Sequence, residues 1–208
     1  MLQILITAFL TMLTLGCGPR YVDYFPYHDD GTQKPKVALM PIVDSTQNSL
    51  AWDFTEEISE GIFYQLMCSG EFYAVSPREM GPGWIKKDSI DFFSNDTSYV
   101  ADFQNTDFIV SMEVIERSIV MQDPCIPTNL TMNIRLRIKI LDIRFCEPKI
   151  VLYEVFKTCY TGFIKNEEFE NGICWKDSGY TRSFCGAAHQ RLVNHLSQRL
   201  EEVIWSVK

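Results

Sequence analysis

Seven cysteines are the most reactive groups in this 208-residue sequence, and their spacing separates three kinds of chemistry. Zinc needs thiolates or imidazoles at short, fixed spacing; no CxxC occurs, and no His stands at finger-like distance from a Cys pair. A nucleophilic thiolate needs an activating base, and the sequence places none beside a cysteine. Disulfide chemistry needs pairs. Cys17 stands apart at the end of an apolar run, and the other six (Cys68, Cys125, Cys146, Cys159, Cys174 and Cys185) are even in number. The alternative use of each is as a buried free thiol.

Other chemistry-bearing groups give less. His189 and His195 are six apart on a helical stretch, which puts them on different faces, so they read as helix-surface residues and not as a ligand pair. Glu56 and Glu60 are four apart and share a face, as an acid/base pair would. Near a helix start, however, they read as a solvated acidic face suited to the positive end of the dipole. No GxSxG, Walker loop or GxGxxG occurs; Gly70 reads as a helix cap and Gly81-Pro82-Gly83 as a turn. The expectation is a non-enzymatic protein with no catalytic residue, no cofactor, no metal ligand and no evident small-molecule substrate.

Residues 4–15 form an uncharged apolar run that ends in Leu13-Thr14-Leu15-Gly16-Cys17. It is too short for the roughly 20 residues that span a bilayer and about right for a secretory signal. The small residue followed by Cys resembles the lipobox of bacterial lipoproteins. That resemblance implies a signal peptide over 1–16, a diacylglycerol on the Cys17 thiol and an acyl chain such as palmitate on its freed amine. The implied address is the bacterial cell envelope, with Gly18 compatible with outer-membrane sorting and a periplasm-facing domain. An ordinary signal peptide cut near Gly16 or Gly18 is the alternative.

Apolar residues are 46% and charged residues 22% of the chain, the usage of an ordinary folded domain. The net charge of −8 argues against a nucleic-acid surface and would repel anionic headgroups, so contact with a membrane is expected through the lipid on Cys17.

These groups must be positioned by a recognisable order of elements. Residues 17–35 carry polar and aromatic residues with prolines and no period, and read as the lipidated Cys and a flexible tether. A single domain follows over 36–208, with insertions near 76–98 and 161–184. Lys36 to Asp44 is a continuous apolar strand that Pro41 places near an edge or bulge. Ser49 or Asp53 could cap a helix with the stripe Phe54, Ile58, Ile62 and Leu66, stopped at Gly70. Phe72 to Val75 is a second strand, 96–103 a short helix, and Phe108 to Val120 a third strand. Leu130 to Phe145 alternates, with Met132, Ile134, Leu136, Ile138 and Ile140 inward and an exposed basic face outward. Ile150 to Tyr160 is its hairpin partner. Ala187 to Val207 is a long helix whose stripe is Ala188, Leu192, Leu196, Leu200 and Ile204.

The fold expected is α/β: a mixed sheet of about five strands, the first three parallel through crossovers, then an antiparallel meander, with a long C-terminal helix. In that topology Cys68 and Cys146 share one end of the sheet and Cys125 and Cys159 the other. The expected bridges are therefore Cys68–Cys146, Cys125–Cys159 and Cys174–Cys185.

The stretch VALMPIVDST, a loop, then DFTEEISEGIFYQLMCSGEFYAVS resembles the opening of the TolB amino-terminal domain, LpoB and CsgG. Asn105 to Val110 is similar to their strand entry, and Ile134 to Arg144 with the closing helix fits their second half. The resemblance implies a periplasmic envelope domain that binds or regulates another envelope component, such as a peptidoglycan synthase or an outer-membrane assembly or secretion partner. A pore is not expected, because neither insertion alternates as a membrane barrel requires. The competing expectation is a disulfide-stapled structural or secretion-accessory lipoprotein.

Overall fold

The computed structural model describes residues 22–46, 52–75, 91–94, 97–103, 105–123, 126–163 and 174–207. Strand β1 (Lys36–Leu39) is followed by a two-residue strand β2 (Val43–Asp44). The expected continuous strand breaks at Met40–Ile42, because Pro41 has no N–H to give to the ladder. Nor is it at an edge: β1 lies between two parallel neighbours, β3 (Tyr73–Val75) and β4 (Phe108–Asp123), and β2 also pairs with β4.

Helix α1 (Phe54–Ser69) begins where the Asp53 carboxylate accepts from the N–H of Thr55 at 2.8 Å and of Glu56 at 3.2 Å. It ends at Gly70, which takes the left-handed conformation with φ 72. The stripe Phe54, Ile58, Ile62 and Leu66 is buried as its spacing predicts. Each fully buried aliphatic side chain there stabilises the fold by about 1.5–3 kcal/mol.

Long strands β4, β5 (Ile126–Asp142) and β6 (Lys149–Phe163) form the expected antiparallel meander, giving a six-stranded mixed sheet in the order β3-β1-β4-β5-β6. Helix α2 (Phe184–Ser206), capped by the Ser183 hydroxyl on the N–H of Gly186, closes the chain. Both helices lie on one face, over a core that joins their stripes to Val37, Leu39, Phe108, Val110 and the inward residues of β5. The link from β3 to β4, including a 3-10 turn at Ser98–Phe103, packs on the other face through Phe92, Tyr99 and Phe103. Right-handed crossovers account for this: the chain moves one way from β1 to β3 and back the other way to β4, so its two connections must cross opposite faces.

Three expectations need correction. Residues 22–35, read as tether, fold against the domain: Asp23 N–H donates to the Met67 carbonyl, and Lys34, 1% exposed, is paired with the Asp23 carboxylate. The outward face of β5 is not simply basic and exposed. Arg135 meets Glu116 and Arg137 meets Glu113 across the strands, and Lys139, 1% exposed, donates to the carbonyls of Phe92 and Ser94. Finally, no disulfide joins any of the described cysteines. Cys68 and Cys146 do share one end of the sheet, but α1 packs at the β3 side and Cys146 sits in the β5–β6 turn. Two strands, β1 and β4, lie between β3 and β5 in the sheet order. Cys159 is exposed on the outer face of β6, Cys174 and Cys185 are not bridged to one another, and Cys125 and Cys17 lie outside the described residues.

Candidate functional site

The two helices and the turn before α2 meet in a buried polar cluster that the sequence did not single out. Glu57 enters from the first turn of α1, Tyr180 from a 3-10 turn at Tyr180–Arg182, and His189 from α2. The Tyr180 hydroxyl donates to Glu57 Oε1 at 2.7 Å, and the Trp52 indole N–H donates to Glu57 Oε2 at 2.9 Å. His189 Nδ1 stands 3.0 and 2.9 Å from the two carboxylate oxygens and 2.7 Å from the Tyr180 hydroxyl. A carboxylate bonded to Nδ1 selects the tautomer protonated there, an assignment that follows from the network. Nε2 is buried and has no hydrogen-bond partner among the described residues.

The surroundings are aromatic. Phe54 meets the His189 ring edge to face at 4.8 Å, Trp52 meets Tyr180 at 5.5 Å, and the Arg117 guanidinium stands 4.6 Å over the Phe54 ring. Burial, followed by the hydrogen bond to Glu57 and its charge, holds the Tyr180 phenol far above its ordinary range, so it stays protonated and acts as a donor. Gly186 permits the turn to approach: a Cβ there would lie 2.0 Å from the Tyr180 carbonyl oxygen.

Beside the cluster is a half-open cleft of about 500 Å³ between α1, the turn at 175–181 and α2. Glu60, Tyr64, Trp175 and Lys176 stand among its lining residues. Lys176 takes a left-handed backbone, φ 76, and its ammonium lies 3.8 Å from the Trp175 ring centroid and 3.8 Å from Glu60 Oε1.

Against expectation, His189 is not a surface residue: it is 1% exposed, while His195 is exposed and stacks at 6.5 Å on Tyr160. Glu56 and Glu60 do not meet as a pair in the cluster; the carboxylate that enters it is their neighbour Glu57. Glu57 follows Phe54 by three and His189 precedes Leu192 by three, so both sit on the buried stripes, where a charged or ionisable residue marks an interior contact. Among the described residues no group of three or more His, Cys, Asp or Glu could hold a metal ion, and no helix is long and apolar enough to cross a membrane.

A family model matches residues 23–208. The chain belongs to the family of unknown function DUF7499. No curated protein matches the sequence. Among solved structures, this DUF7499 chain is similar to the hypothetical protein CT253 of Chlamydia trachomatis. That similarity has 20% identity and a TM-score of 0.63, and covers 82% of this chain and 98% of that one. It establishes a shared fold. The lipoprotein GNA1162 of Neisseria meningitidis matches at 8% identity over 81% of this chain and 99% of its own, with a TM-score of 0.42. Protein XCC0632 of Xanthomonas campestris, assigned to DUF330, matches at 9% identity over 88% and 85%, with a TM-score of 0.43. None of the three is TolB, LpoB or CsgG.

Proposed function

We propose that this DUF7499 chain is a lipid-anchored protein of the bacterial envelope whose domain works by binding another envelope component and not by catalysis. The observation that carries the non-catalytic reading is the use of Glu57. Its carboxylate takes up three donors, from Trp52, Tyr180 and His189, at the junction of two helices and a turn. A buried carboxylate satisfied in this way fixes the packing of the elements that supply its donors. The neutral Tyr180 and the enclosed His189 Nε2 fit the same role.

Binding is supported by the outer face of the meander. Tyr153 and Val155 are about half exposed there and Phe163 is 73% exposed, along a 15-residue strand at the end of the sheet order. Apolar side chains on a long edge strand are a ready surface for another chain. The anchor rests on the lipobox resemblance at Cys17, and a peptidoglycan synthase is the partner class that the likeness to LpoB implies.

Two measurements test this reading. Mass spectrometry of the mature amino-terminal peptide should find a diacylglyceryl group on Cys17; a start at Gly18 or Tyr21 without lipid would remove the anchor. A photo-crosslinker at Val155 in the full chain should capture a stoichiometric envelope protein. Hydrolytic activity that vanishes in Glu57→Gln would overturn the non-catalytic reading.

A further inference from the structure

The exposed aromatic side chains are gathered at one end of the domain. Among the described residues eight large aromatics are exposed, and five of them, Tyr24, Phe25, Tyr27, Phe145 and Trp205, lie where β1, β3 and β4 begin and both helices finish. Tyr24, Phe25 and Phe145 are about two-thirds exposed, and Ile150, at the start of β6, adds an exposed aliphatic side chain. Contacts join these residues into one surface. Trp205, in the last turn of α2, packs on Phe72 with ring centroids 6.1 Å apart. The Tyr73 N–H donates to the Pro35 carbonyl and the Lys34 N–H to the Pro26 carbonyl, both at 3.0 Å, which holds Phe25 and Tyr27 beside that corner. Across it, Arg144 stands over the Phe145 ring and donates to the Val207 carbonyl at 2.8 Å.

The chain that precedes the described residues joins at the same end. Val22 packs against the core, and the Asp23 N–H bonds to the Met67 carbonyl at the end of α1. Because residues 22–35 are folded onto the domain, only five residues lead from Cys17 to Val22, a reach of at most about 18 Å when fully extended. Helix α2 alone is about 34 Å long, so a lipid on Cys17 would keep the far end from turning to the bilayer. The aromatic end is the one held near it. Charges around this end are of both signs, Asp29, Asp30 and Glu147 against Lys149, in a chain of net charge −8. Such a surface suits zwitterionic headgroups and not anionic ones. Tyr and Trp, with an apolar body and a polar tip, belong at that boundary and need no net charge to enter it.

We propose that this end of the domain seats directly on a zwitterionic lipid surface, with Tyr24, Phe25, Tyr27, Phe145, Ile150 and Trp205 entering the headgroup layer. The proposal rests on the anchor at Cys17 and adds to it: the lipid tethers the domain, and the aromatic side chains fix which way it faces.

The test uses the chain extracted from the membranes of a bacterial expression host and reconstituted in vesicles of phosphatidylcholine brominated in the upper part of its acyl chains. Bromine should quench part of the tryptophan fluorescence, and Trp205→Phe should remove that part. The triple variant Tyr24→Ser/Phe25→Ser/Phe145→Ser should reduce the quenching at least threefold with Tm unchanged, since these side chains are exposed in the native fold. Ile119→Ser/Val120→Ser, on exposed residues toward the other end of β4, should leave it as it is. A photo-crosslinker in place of Phe25 should label lipid; label on a second copy or on another protein assigns this end to that partner and overturns the proposal. A chain that floats with the vesicles but shows no quenching that depends on Trp205 overturns the seated end and leaves the anchor standing. A chain that does not float and carries no diacylglyceryl group overturns both.

Discussion

The two ends of the domain treat charge in opposite ways. At the end where β1, β3 and β4 begin and both helices finish, two cations are closely paired with carboxylates. Lys34 is closed on Asp23, and Arg144 grips Asp142 with two bonds, at 2.9 and 2.7 Å, while donating to the Val207 carbonyl at 2.8 Å. At the far end the pattern is reversed. The Glu57 carboxylate is satisfied by three ring and phenol donors, and Arg182 and Arg191 make no ion pair among the described residues. Paired charges at one end hold the chain's entry and exit together. At the other end the pairing is looser: Lys176 stands 3.8 Å from Glu60, both side chains more than half exposed.

The largest effect is expected where the far end is internally sealed. Glu57→Ala takes the shared acceptor from the buried Tyr180 and His189 and from the half-buried Trp52, and chemical denaturation should show a loss of about 3–5 kcal/mol. Glu57→Gln, which keeps an acceptor oxygen, should lose less. At the end where β1 begins, Lys34→Met removes the partner of a carboxylate that is still partly in water, so the loss by the same measurement should be smaller.

Asp142 gives the comparison a pH signature. Its hydrogen bonds to Arg144 hold its carboxyl below the ordinary value of 3.8, burial acting against them. A carboxylate lowered on folding contributes stability that is whole above its ordinary value and is lost as the pH falls through the lowered one. Asp142→Asn should therefore flatten the acid limb of a stability curve, while Arg182→Gln should leave that limb unchanged. The smallest effect is expected at the half-exposed bidentate pair of Arg199 with Glu154. There Arg199→Gln should cost about 0.5 kcal/mol, and added salt should erase the difference.

What the sequence made legible follows from the range of each interaction. Local periodicity exposes the stripes at 58, 62, 66 and at 192, 196, 200, the alternation of β5 and the cap at Gly70, because one element suffices to read them. The burial of Lys139 was not legible, since it depends on residues 92–94 folding over it from more than forty positions away. His189 was misjudged and Glu57 passed over for a different reason. Their types suggest solvent, whereas their phase on the helix places them inside. Of the expected bridges, Cys68–Cys146 had the right end of the sheet, but strand order, which no local pattern encodes, puts β1 and β4 between β3 and β5.

The docking of residues 22–35 has a mechanical side. The chain enters the fold at the Asp23–Met67 contact and then passes into β1, which is hydrogen-bonded along both edges to parallel neighbours. A pull on the amino terminus, resisted by a partner held at the far end, would slide β1 lengthwise between β3 and β4. Its backbone bonds would then share the load at once and not open one by one as at a peeled edge. A domain threaded in this way can bear tension between two attachment points, with α2, about 34 Å long, bracing the same span.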